Sequence, residues 1–101
     1  MRRVLPLLLI LTGGCTAPPH KFFVTVDREP KSGFLTLNDH TTQLIHRGTT
    51  LYGERRISDA SGKVTVHFKD GSTVECRIGY ITNGEVEPHH FSILGQKCYD
   101  R

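Results

Sequence analysis

The sequence has 101 residues and no tryptophan. Its large aliphatic residues are sparse, so any hydrophobic core must be thin. No segment sustains an apolar period near 3.6 residues, which argues against amphipathic helices. No serine sits in a Gly-x-Ser-x-Gly elbow and no His-Glu-x-x-His pair occurs, which removes two common hydrolase designs. Lysine and arginine form no run or tail, so nothing points to nucleic acid. No apolar stretch reaches the ~20 residues that a membrane-spanning helix needs. The paired carboxylates Glu85 and Glu87 read as solvated charge, because glycoside hydrolysis would also need a substrate cleft.

What is present starts at the N-terminus. Arg2 and Arg3 precede an apolar run from Val4 to Leu11, and Thr12, Gly13 and Gly14 lead directly to Cys15. A positive start, a short apolar stretch and small residues before a cut site are the parts of an export signal. With the cysteine in place, the segment resembles the signal peptide of bacterial lipoproteins, in the relaxed form of their box, with Leu11 one place earlier than usual. The resemblance implies removal of residues 1–14 and lipidation of Cys15 by a diacylglyceryl group and an N-acyl chain. Two or more acyl chains hold a protein on a membrane stably, whereas one does so marginally. Thr16 stands where an aspartate would favour the inner membrane, so the outer membrane is the expected destination. The competing reading is an ordinary export signal cut elsewhere, for instance after Ala17, with Cys15 lost.

Removing residues 1–14 changes the charge argument. Of 13 lysines and arginines, 11 remain against 10 acidic residues, so the mature chain is nearly neutral. Residues 15–20, with Pro18 and Pro19, read as a tether, and 21–101 as one small β domain. A domain of ~80 residues buries only roughly 60% of its unfolded surface and often needs a covalent staple. With Cys15 lipidated, Cys76 and Cys98 remain, and in an oxidising compartment they are expected to form a disulfide. The alternatives are two free thiols or a metal pair.

The domain reads as all-β: an antiparallel sheet curled into a sandwich or partly open barrel of about six or seven short strands. Phe22, Val24 and Val26 alternate with Phe23, Thr25 and Asp27, and further strands are expected over 34–37, 42–46 and 50–57. In the C-terminal half, Val64, Val66 and Phe68 face one way, as do Val74, Cys76, Ile78 and Tyr80. A two-residue Asp70-Gly71 turn would mix these faces. A three-residue loop, Lys69-Asp70-Gly71 with a left-handed glycine, instead pairs Val66 with Val74, Val64 with Cys76 and Thr65 with Glu75. A tight Asn83-Gly84 turn would then pair Tyr80 with Glu87, Ile78 with His89, Cys76 with Phe91 and Val74 with Ile93, making a meander from about Lys63 to Leu94. Pro88 marks an edge or bulge, and Gly95 lets the chain return so that Cys98 meets Cys76.

Six histidines invite a metal reading, chiefly through His67, His89 and His90. Neighbours on a strand point to opposite faces, however, so His89 and His90 cannot chelate one ion without a bulge. In the meander register His90 would stand opposite Arg77, near Glu75. Binding hot spots are rich in tyrosine and arginine, which makes Tyr52, Arg55, Arg56, Tyr80 and Tyr99 the candidate contact residues. No cofactor and no enzymatic activity are expected. The expected function is that of a non-enzymatic, lipid-anchored envelope protein, of accessory or exclusion type, whose domain binds another envelope protein. The rival is a metal- or small-ligand-binding periplasmic domain.

Overall fold

A computed structural model describes residues 19–57, 59–82 and 87–100. The signal segment, Cys15, Thr16 to Pro18 and the Asn83-Gly84 turn lie outside the described residues. The described chain contains nine strands and no helix: β1 (Pro19–Val26), β2 (Pro30–Leu37), β3 (His40–Gln43), β4 (Ile45–Arg47), β5 (Thr50–Arg56), β6 (Ala60–Phe68), β7 (Thr73–Ile81), β8 (His89–Leu94) and β9 (Lys97–Asp100). They form two sheets, one of five strands in the order β4-β5-β1-β8-β9 and one of four in the order β3-β2-β6-β7.

Period-two alternation builds the core. Phe22, Val24 and Val26 of β1 are buried, with Leu51, Phe91 and Ile93 from the same sheet. Leu35, Leu37, Val64, Val66, Val74, Cys76 and Ile78 face them from the four-stranded sheet. The β6–β7 hairpin has the expected register, with Val64 paired to Cys76, Thr65 to Glu75 and Val66 to Val74. Phe68 closes its loop by donating its N–H to Ser72 O at 2.9 Å and accepting from Gly71 N–H at 3.0 Å. Gly71 has a φ of 95°, a left-handed conformation that glycine adopts without a Cβ clash.

The two sheets are joined at both edges. On one side the chain crosses from β3 to β4 through the single buried residue Leu44, whose N–H donates to Gly33 O at 2.8 Å. On the other side a Cys76–Cys98 disulfide links β7 to β9, the outermost strands of different sheets.

Five expectations are corrected. The stretch 42–46 is not one strand, because Leu44 turns into the core and the chain changes sheet there. This break and the separate short strands β4 and β9 raise the count above seven. Pro19 and His20 are not tether. They open β1, paired to Arg56 and Arg55, and His20 is only 1% exposed.

The meander ends at β7. β8 does not pair with β7 but lies parallel to β1 and antiparallel to β9, so the Cys76–Phe91, Val74–Ile93 and Ile78–His89 pairs do not form. Phe91 and Ile93 do face the core. They meet the four-stranded sheet across the sandwich, where inward side chains of opposed sheets interdigitate. Glu87 lies outside β8, and Tyr80 has no partner there. The parallel β1–β8 pair also makes the five-stranded sheet mixed.

Arg28 gathers three loops at one end of the sandwich. Its guanidinium donates to Asp27 Oδ1 (2.6 Å), Asp70 Oδ2 (2.9 Å), Ser72 Oγ (2.8 Å) and Gly95 O (3.0 Å), and its charge lies 3.9 Å from the Phe68 ring centre. Asp27 also accepts from Gly95 N–H at 2.8 Å, and Asp70 from the Ser72 hydroxyl at 2.6 Å and its N–H at 2.8 Å. The Gly95 bond chiefly holds the Asp27 carboxyl below the ordinary range, and the Ser72 bonds do the same for Asp70, with Arg28 adding to both.

A lowered carboxyl pKa in the folded chain contributes stability above the ordinary value of about 4, lost as pH falls through the folded values. Urea midpoints measured from about pH 6 down to pH 2 should therefore fall in the native chain and change less in an Asp27→Asn, Asp70→Asn double variant. Parallel curves would contradict the clamp.

Candidate functional site

The outer face of the five-stranded sheet carries a row of large side chains, one from each of four adjacent strands. Cross-strand register aligns Ile45 with Tyr52, Tyr52 with Phe23, and Phe23 with His90. The rings touch in sequence: Phe23 and Tyr52 have centroids 5.0 Å apart at 42°, and Phe23 stacks on His90 at 5.1 Å and 12°. Ile45, at the open end of the row, is 64% exposed. Leu94 and Tyr99 are also exposed, and alternation places them on this face beside Ser92. Ile45, Arg47, Thr50 and Tyr52 line a shallow depression at the β4 edge.

Alternation adds four cations to this face: Lys21, Arg47, Arg56 and Lys97. Of the carboxylates in these strands Glu54 is the one on this face, and it accepts the Tyr52 hydroxyl at 2.7 Å. Donation to that carboxylate pushes the Tyr52 phenol up in pKa. The result is an aromatic strip with a basic margin.

The opposite outer face differs in kind. Thr36 bonds Thr41 at 3.1 Å, Lys63 bonds Glu75 at 3.1 Å, and His67 Nδ1 meets Thr73 Oγ1 at 3.0 Å. These three pairs bond polar groups of this face to one another, and Phe34 meets His67 edge-on at 5.9 Å.

The five candidates from the sequence divide. Tyr52, Arg56 and Tyr99 share the aromatic face. Arg55 points to the other side of β5, where its Nη1 donates to Thr42 Oγ1 at 2.8 Å and spans the gap between the sheets. Tyr80 lies on β7 of the other sheet, 63% exposed, donating to Asp59 Oδ1 at 2.9 Å, which raises its pKa. Phe23 and Ile45 were not among the candidates, and His90 was considered only as a metal ligand. The available signal was Phe23 itself, a large apolar residue on the outward phase of β1.

The metal trio does not assemble. His67 is on the four-stranded sheet, His90 faces outward on Phe23, and His89 turns inward to stack on Phe22 at 4.7 Å and 11°. His90 is not opposite Arg77 or near Glu75, because β8 belongs to the other sheet. Among the described residues no three His, Cys, Asp or Glu side chains come together in a metal-holding group.

These features define a small disulfide-linked β-sandwich with one aromatic, basic face and one polar face. Comparison with protein-family models, curated proteins and solved structures gave no match.

Proposed function

We propose that this chain is a non-enzymatic, lipid-anchored envelope protein that binds another envelope protein through the outer face of the five-stranded sheet. The observation that carries the reading is the Ile45–Tyr52–Phe23–His90 row. Contiguous exposed apolar surface with a polar margin is the usual mark of a protein contact site, and aromatic and arginine side chains dominate binding energy there. The basic margin favours a partner surface with exposed carboxylates, which would speed encounter and fix orientation.

The anchor supplies the location. Three residues separate Cys15 from Pro19, where the central strand of this sheet begins. An extended chain of that length spans at most about 14 Å, so a lipid on Cys15 keeps the domain beside the bilayer, and the outer membrane is the expected one. The partner is then an envelope or outer-membrane protein that comes to this surface of the bilayer.

Two variants test the two halves separately. Cys15→Ser is expected to move the protein out of the membrane fraction or leave it as uncleaved precursor; processed, membrane-bound protein would refute the anchor. Phe23→Glu should weaken co-purification of the partner by tenfold or more, on the scale of one lost hot spot, about 1.4 kcal/mol or greater. Thr65→Glu on the polar face should leave it unchanged. Equal effects from both would refute the face.

A further inference from the structure

His20 is nearly fully buried, and among the described residues neither of its ring nitrogens has a hydrogen-bond partner. A neutral imidazole has one donor and one acceptor. Leaving both unsatisfied costs the desolvation of each group without a compensating hydrogen bond. Such a residue calls for a ligand.

The nearest chemistry is a second imidazole. His89 enters the interior from β8, adjacent and parallel to β1, and its ring centre lies 6.0 Å from that of His20 with the planes tilted by 47°. Stacking on Phe22 holds the His89 ring in place. Phe22 and His20 are two residues apart on β1, so all three side chains share the inner face of the sheet.

The donor set selects the ion. Calcium and magnesium take oxygen ligands, and this pair offers nitrogen only. Zinc takes four ligands in structural sites and three plus water in catalytic ones, whereas among the described residues two imidazoles meet here. Arg55, paired with His20 across β1 and β5, adds a positive charge nearby that penalises a dication more than a monocation. A monovalent d10 ion, Cu(I) or Ag(I), is satisfied by two nitrogen ligands in an open, near-linear arrangement. With metal–nitrogen bonds of about 2 Å, each ring centre lies about 3 Å from the ion, so two rings on one ion stand about 5–6 Å apart, widest when the angle is most open. The observed separation falls at the open end of that range.

We infer that His20 and His89 form a buried two-coordinate site for Cu(I) or Ag(I). Each neutral ring coordinates through its unprotonated nitrogen and keeps its other N–H, so binding involves no electron transfer and no loss of a proton. The site lies on the inner side of β1 and β8, opposite in phase to the aromatic face, and is independent of what that face binds.

The test uses the full chain carrying Cys15→Ser, so that no free thiol competes, with its disulfide intact. Ag(I), and Cu(I) under anaerobic conditions, are titrated and followed by bound-metal analysis, thermal unfolding and histidine 15N NMR. The expected result is one ion per chain, shifts confined to the His20 and His89 ring nitrogens, and a rise in Tm that grows with free metal. His89→Phe should weaken binding at least tenfold, while a His67→Ala, His90→Ala double variant binds as the parent does. His20→Phe should likewise lose the ion, and if it does not fold, the NMR shifts of the parent and the His89→Phe result carry the test. Absence of one-to-one binding, shifts at His67 or His90 instead, or tighter binding of Zn(II) than of Ag(I) would each overturn the site.

Discussion

Replacing both bridging cysteines, Cys76→Ser with Cys98→Ser, is expected to lower stability by about 3 kcal/mol, the chain-entropy value for a closed loop of this size. The half-cystines are 22 residues apart in sequence. Their place in the fold says where the loss is felt. β9 has only four residues and hydrogen-bonds to one neighbour, β8, and the disulfide holds it against β7 of the other sheet. Without the bond that edge of the sandwich opens, water reaches the space beneath Cys76, and Tyr99 is released from the aromatic face. Urea unfolding should show a lower midpoint, and amide exchange should be fastest in β9. An unchanged midpoint under reducing conditions would show that the sheets close by packing alone.

Leu44→Ala should be comparably costly, about 3 kcal/mol, within the usual range for a truncated buried leucine. Leu44 is 3% exposed and is the single residue through which the chain changes sheet. Its side chain lies over two glycines: a Cβ on Gly53 would collide with Leu44 Cδ2, and one on Gly33 would stand 3.3 Å from Leu44 Cδ1. Neither glycine has a side chain to fill the space that alanine would leave, so the cavity persists. The neighbouring change Ile45→Ala should shift stability by only about 0.5 kcal/mol, because that side chain is exposed, while still weakening partner binding. Thermal unfolding of the two variants checks the contrast. Equal losses would mean that the crossing at Leu44 is not a packing element.

The sequence made local patterns legible and long-range ones ambiguous. Alternation gave the inward set of β1, and the faces of Val66, Val74, Thr65 and Glu75 excluded a two-residue turn, so the β6–β7 register could be derived. Phe91 and Ile93 were recognised as inward, but an inward residue looks the same whether its strand lies beside another or across the core from it. That ambiguity placed β8 next to β7 when it belongs beside β1. The disulfide survived this error, because bonding across the sandwich or along one sheet uses the same two cysteines.

The site was half legible for a related reason. Tyr52, Arg56 and Tyr99 could be chosen by residue type, but the row exists only once β1 is set between β5 and β8. Phe23 and His90 then become neighbours across two strands 67 positions apart in the chain. The Arg28 clamp was invisible for the same reason, since its acceptors come from separate loops.

Site-specific photo-crosslinking in intact cells tests the binding face most directly. A photoreactive residue at position 52 or 45 samples the aromatic face, and one at position 65 samples the polar face of the other sheet. Positions 52 and 45 are expected to yield one covalent adduct to the same envelope protein, identified by mass spectrometry, and position 65 none. No adduct from 52 and 45, or the same adduct from 65, would contradict the assignment.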